Sequence, residues 1–74
     1  MNGKKQRFSV IERILRKEIV RSQSELQKAL INNGFIVTQA TLSRDIRQLK
    51  IVKKPDRDGL YRYILPDMEI KEQR

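Results

Sequence analysis

The chain has no cysteine, no histidine and no tryptophan among its 74 residues. Without cysteine there is neither a disulfide framework nor a thiolate metal site to reinforce a small core, and a reducing compartment is compatible. Without histidine, Cys/His zinc sites and every His-dependent triad are excluded as well. No apolar run approaches the roughly 20 residues that span a bilayer. The basic start MNGKKQRFSV lacks the apolar region of a signal peptide. The three glycines do not form a phosphate-binding loop. Ser43 has no base within helical reach other than arginines, and no carboxylate pair has a recognisable pocket. These absences point away from an enzyme. They lead us to expect a soluble, cytoplasmic chain with no membrane segment, no metal and no cofactor of its own. One small domain is the most this length holds, near the size where a single core only just suffices.

Positive charge is what the chain has in excess. Seventeen Lys and Arg stand against nine Asp and Glu, a net charge of +8. Residues 1–65 hold fifteen basic and six acidic groups, whereas residues 66–74 hold two and three. Such an excess suits a polyanion, either nucleic acid or an anionic membrane surface, or is simply a basic soluble surface.

The first periodic segment is RFSVIERILRKEI, in which Phe8, Ile11, Ile14, Leu15 and Ile19 form a helical stripe opposite Glu12, Arg13, Arg16 and Lys17. A membrane-lying helix is the alternative, but the stripe lacks Trp and further amphipathic segments follow that need a partner. Lys4, Lys5 and Arg7 before it are either a phosphate-contacting arm or a frayed terminus. At SQSELQKALINNG, Ser22 and Glu25 match a capping box, Leu26, Ala29 and Leu30 form a stripe, and Asn33-Gly34 supplies a stop. A second helix over about 23–33 follows.

Phe35, Ile36 and Val37 bridge to a third helix with Thr38 as its N-cap, in the stretch TQATLSRDIRQLK. At about 100° per residue, Leu42, Ile46 and Leu49 share one narrow buried seam. Ala40, Arg44 and Arg47 fall opposite, flanked by Thr41, Ser43 and Gln48. Asp45 lies near the seam and is expected to pair with a basic group of another helix; accepting from a cytosine amino group is the alternative. After Lys50 the period changes. IVKK and LYRYIL are strand-like runs around the turn PDRDG, with Tyr61, Tyr63 and Leu65 on one face and Arg62 on the other. The tyrosines are read as core in preference to stacking platforms. Pro66 ends the hairpin, and DMEIKEQR carries no strong element beyond the pair Met68 and Ile70.

Three helices followed by a two-stranded hairpin describe an α+β winged helix-turn-helix. In such folds the third helix enters the major groove and the hairpin lies beside it on the backbone. Small Ala40 and Ser43 let the helix axis approach, and Arg44 and Arg47 supply guanidinium groups that pair bidentately with guanine. Gln39 and Gln48 can bond adenine or phosphate, and Thr38, Thr41 and the helix N-terminus suit phosphate. In the wing, Lys53, Lys54, Arg57 and Arg62 can track phosphates, while Asp56 and Asp58 shape the turn. Double-stranded DNA is therefore the expected partner. A winged-helix protein-interaction module and a sequence-independent nucleic-acid binder are the alternatives.

The run GFIVTQATLSRDIRQLKIVKKP, with YRYILP after the turn, closely resembles the N-terminal DNA-binding domain of bacterial arginine repressors. The similarity runs from the first helix to Pro66, and TQATLSRDI is its most specific part. The resemblance implies a transcriptional regulator of arginine metabolism, repressing biosynthesis at palindromic operators with L-arginine as corepressor and able to activate catabolism. It implies that Ser43 and Arg44 are the principal DNA contacts, with Gln39 in the same motif and Arg47 secondary. It further implies a C-terminal domain that binds arginine and forms trimers and hexamers. On that basis residues 1–66 are the DNA-binding domain and residues 67–74 the start of a linker to an absent C-terminal domain. The isolated domain is expected to be a monomer that binds weakly and does not bind arginine.

Overall fold

The structure, a computed structural model, describes residues 3–70. Helix α1 (Lys4–Lys17), α2 (Gln23–Asn32) and α3 (Gln39–Gln48) precede strands β1 (Val52–Pro55) and β2 (Tyr61–Ile64), and a short α4 (Pro66–Ile70) closes the order. The strands pair antiparallel with Val52 opposite Ile64 and Pro55 opposite Tyr61. This is the expected winged helix-turn-helix. Among the described residues no helix is long and apolar enough to cross a membrane.

α1 starts earlier than its apolar stripe. Gly3 is its N-cap, and the Gly3 N–H donates to Gln6 Oε1 at 3.3 Å. Lys4, Lys5 and Arg7 are thus part of the helix, which corrects the reading of them as an arm or a frayed end. Val10, Ile11, Ile14 and Leu15 form its buried face. The helix stops at Lys17, so Ile19 does not continue the stripe and is 52% exposed, while Val20 is buried in its place. The Val20 carbonyl accepts from the Tyr63 N–H at 2.9 Å, which docks β2 against the chain entering α2.

At the start of α2, Ser22 Oγ accepts from the Glu25 N–H at 3.2 Å. Glu25 Oε1 accepts from the Arg21 N–H at 2.8 Å and not from that of Ser22, so the expected box is displaced by one residue. Leu26, Leu30 and Leu42 are fully buried and join Phe35, Ile51, Leu65 and the buried face of α1 in one core. Each such side chain contributes about 1.5–3 kcal/mol on burial. Ile36, expected to bridge, is 87% exposed.

α2 and α3 end in the same way. After α2, the Gly34 N–H donates to Ile31 O and the Phe35 N–H to Leu30 O; after α3, the Lys50 N–H donates to Arg47 O and the Ile51 N–H to Ile46 O. Both patterns place a left-handed residue just beyond the cap. That residue is Gly34 (φ 90°) in one case and Lys50 (φ 58°) in the other. A non-glycine residue there costs about 1–2 kcal/mol. Lys50→Gly is therefore expected to raise unfolding free energy by about 0.5–1 kcal/mol after glycine's extra unfolded-state entropy is deducted, as read from urea denaturation. The same substitution removes an exposed cation from the end of α3 and is expected to weaken DNA binding.

The hairpin departs from strict alternation. Tyr61 is 56% exposed, while the successive residues Ile64 and Leu65 are both buried. Arg62, read as outward-facing, is half-buried and its Nη2 donates to Leu15 O at 3.5 Å, at the end of α1. Arg62 therefore reaches from the wing toward the end of α1. Beyond Pro66 the expectation of no regular element is corrected by α4, whose Met68 packs on the core and whose Asp67 pairs with Arg16 at 3.0 Å. Residues 71–74 of the expected linker lie outside the described residues.

Candidate nucleic-acid interface

α3 is held from behind by a buried charge pair. Asp45 is 2% exposed and receives both arms of the Arg7 guanidinium, Nε on Oδ2 and Nη2 on Oδ1 at 2.9 Å. This fork joins the first turns of α1 to the middle of α3, as expected for Asp45, and leaves its carboxylate no access to a base. The hydrogen bonds to Asp45, and secondarily its charge, raise the Arg7 pKa above its ordinary value against the opposing effect of burial. Leu42 is fully buried beside Asp45, with Ile46 and Leu49 half-buried along the same side.

The opposite side is open. Gln39, Ala40, Arg44, Arg47 and Gln48 are exposed, and Thr41 and Ser43 are half-buried. Thr38 Oγ1 caps the helix by accepting from the Thr41 N–H at 3.2 Å. Two glutamines of α2 reach across to this helix. Gln23 Nε2 lies 2.9 Å from Ser43 Oγ, 3.0 Å from Gln39 Oε1 and 3.1 Å from Gln39 O. Gln39 Nε2 in turn donates to Gln27 Oε1 at 2.7 Å, and Gln27 Nε2 donates to Val37 O at 2.7 Å. Between α3 and the wing runs an open groove lined by Gln23, Ser43, Ile46, Arg47, Ile51 and Tyr63.

The wing turn is built on Asp56. Its Oδ1 accepts from the N–H groups of Asp58 (2.9 Å) and Leu60 (3.2 Å), and Gly59 takes the left-handed position at φ 81°. Arg21 Nη2 holds Asp56 Oδ2 at 2.9 Å and Arg21 Nη1 reaches Tyr61 O at 3.4 Å, tying the wing to the α1–α2 connection. Burial pushes the Asp56 carboxyl up. The bond from Arg21, the backbone donors and the Arg21 charge together outweigh it and hold the carboxyl below its ordinary value. Lys53 sits over the Tyr63 ring at 5.3 Å, across the ladder, and burial raises the Tyr63 phenol.

The profile described as arginine repressor, DNA binding domain, matches residues 2–71. The chain belongs to the arginine repressor family. It is 48% identical to the arginine repressor of Parabacteroides distasonis over 73 residues, which cover 99% of this chain and 50% of that protein. It is 49% identical over 63 residues to the arginine repressor of Syntrophomonas wolfei, covering 85% of this chain and 40% of that one. A third relative, the arginine repressor of Bacillus cereus, is 49% identical over 64 residues, with 86% and 43% covered. The chain thus spans about half the length of the relatives it matches.

In an arginine repressor DNA-binding domain, the distribution of charge on α3 and the wing acquires a purpose. From α3 to the wing tip the acids are Asp45, Asp56 and Asp58. Two of the three are neutralised by arginines from elsewhere, Arg7 and Arg21. Arg44, Arg47, Lys50, Lys53, Lys54 and Arg57 remain on the exposed side. Among the described residues neither Arg44 nor Arg47 makes an ion pair. Of the residues expected from sequence, Ala40, Arg44, Arg47 and Gln48 are presented on α3, and Lys53, Lys54 and Arg57 on the wing. Gln39 and Ser43 are instead tied to α2. The sequence reading missed Gln23 and Gln27, although their spacing of four on a helix places both on one face.

Proposed function

We propose that this chain reads operator DNA for an arginine-responsive repressor, with α3 in the major groove and the wing on the adjoining backbone. The observation that carries the reading is the neutralisation of Asp45 and Asp56 by Arg7 and Arg21, which clears α3 and the wing of most competing negative charge. Arg44 contacts guanine, Ser43 and Gln39 assist it, and Ala40 permits close approach. Thr41, Arg47, Gln48, Lys53, Lys54 and Arg57 bind phosphates. In the full-length protein, residues 1–66 form the DNA-binding unit, residues 67–74 lead to a C-terminal domain, and L-arginine acts there as corepressor. That domain assembles trimers or hexamers in the cytoplasm, which brings two copies onto a palindrome at high effective concentration.

Two substitutions separate the assigned roles. Arg44→Ala should cost about 1–3 kcal/mol on the preferred duplex and relax preference at one position. Lys53→Ala should weaken all duplexes alike and reduce the salt slope by about one. Band shifts with a duplex enriched from a random library, against random competitor, measure both. An unchanged ratio of preferred to random affinity in Arg44→Ala would overturn the base-reading role. Addition of L-arginine should strengthen binding by the full-length protein and leave this chain unaffected.

A further inference from the structure

We propose that Gln23 is a positioning residue for base reading, fixing the Ser43 hydroxyl as a donor toward DNA. The inference rests on Ser43 being a base contact. A serine inside a helix ordinarily turns its hydroxyl back onto the carbonyl four residues earlier. For Ser43 that acceptor is Gln39 O, which already receives the Ser43 backbone N–H within α3. Gln23 Nε2, 3.1 Å from the same oxygen, fills its second lone pair and also donates into Ser43 Oγ. A carbonyl has two lone pairs and a hydroxyl one hydrogen. With Gln39 O saturated and Ser43 Oγ already accepting, the Ser43 hydrogen is turned away from both Gln39 O and Gln23 and is available to an acceptor outside the helix.

The chain of amides fixes this polarity in one direction. Gln39 donates to Gln27, and Gln27 donates to Val37 O at the turn before α3. Gln23, with two amide hydrogens for three acceptors, reaches Gln39 Oε1 at 3.0 Å only by sharing one of them in a bifurcated bond. The Gln39 and Gln27 amides are thus held with their oxygens toward the preceding donor, and Gln23 is held as a donor by the Gln39 carbonyl. A Ser43 committed to donate seeks an acceptor: guanine O6 or N7, adenine N7, thymine O4 or a phosphate oxygen. It discriminates against the amino group that cytosine presents in the major groove.

The test is a double-mutant cycle on this chain, with bound duplexes from a random library sequenced for wild type, Gln23→Met, Ser43→Ala and the double variant. Met is similar in size and flexible, so thermal unfolding of Gln23→Met should stay near wild type; Gln23→Ala provides a second variant. Gln23→Met should reduce base preference about 5- to 30-fold, at the same position where Ser43→Ala does, and should have no further effect in the Ser43→Ala background. An even loss across all positions, or full additivity with Ser43→Ala, would overturn the proposal. If Ser43→Ala erases a preference that Gln23→Met leaves intact, this inference fails and the base-contact reading survives. If Ser43→Ala changes no preference, both fall.

Discussion

Replacing Arg7 with alanine is expected to remove about 3–5 kcal/mol of stability, because it leaves the Asp45 carboxylate buried without its partner. A domain of 74 residues has about 4–11 kcal/mol in total at the usual stability per residue. The loss is therefore a large share of the whole, and much of the population should be unfolded at 37 °C. The two ends of the pair are not equivalent. The Arg7 side chain is 15% exposed and Asp45 2%, so an orphaned arginine can reach water and an orphaned carboxylate cannot. Asp45→Ala should accordingly cost less than Arg7→Ala. Arg7→Lys keeps the charge but loses the two-armed geometry and should fall between wild type and Arg7→Ala. Arg7→Met combined with Asp45→Leu removes both charges and should recover much of the loss. Urea denaturation followed by circular dichroism ranks the four variants. A cost for Arg7→Ala below about 1 kcal/mol, the level of an exposed pair, would contradict the structural role given to the fork.

DNA affinity should fall about 10²- to 10³-fold between 50 and 200 mM salt. The estimate follows from about four to six phosphate contacts, each releasing about 0.9 of a counterion from duplex DNA. The exposed cations of α3 and the wing supply that number, once Arg44 is set aside for a base. The physical reason for so steep a dependence lies in the acids. An unneutralised Asp45 or Asp56 beside the phosphates would repel them and lower the slope, whereas Arg7 and Arg21 cancel both from inside the fold. Fluorescence anisotropy with a labelled random-sequence duplex, titrated at four salt concentrations, gives the slope. A protein-docking module would show little salt dependence and no preference for duplex DNA.

The elements legible in the sequence were those set by local chemistry. Thr38 and Ser22 announce helix starts through their side-chain oxygens, and Gly34 announces a stop through its φ. The spacing of Leu42, Ile46 and Leu49 was enough to orient α3 and to place Asp45 next to another helix. What the pattern could not supply was tertiary. Arg7 lies 38 positions from Asp45, and only the crossing of α1 over α3 brings them together. The exit from α1 was misread because no glycine or proline marks it, so the stripe was carried on to Ile19. Alternation failed at Ile64 and Leu65, where the strand turns into α4 and both faces meet protein. Lys50 was invisible as a left-handed residue because its side chain gives no sign of that backbone state. In the interface, exposed arginines on a helix were readable, but the amides of α2 that support Ser43 and Gln39 required the helix-turn-helix to be assembled.

The separation of α3 into two sides has a consequence for how such a domain can change. Apart from the amide contacts of Gln39 and Ser43 to α2, what fastens the helix, from Leu42 and Asp45 to Leu49, faces inward, and Arg44 and Arg47 on the outer side take no part in fastening it. Substitution of Arg44 should therefore alter which operator is chosen, and substitution of Arg47 how tightly any duplex is held, while both leave the fold nearly as stable as before. Evolution, or a designer retargeting the domain, can rewrite the outer side without rebuilding its support. Ser43 is the exception, since its hydroxyl is coupled to Gln23 and the two would have to be exchanged together.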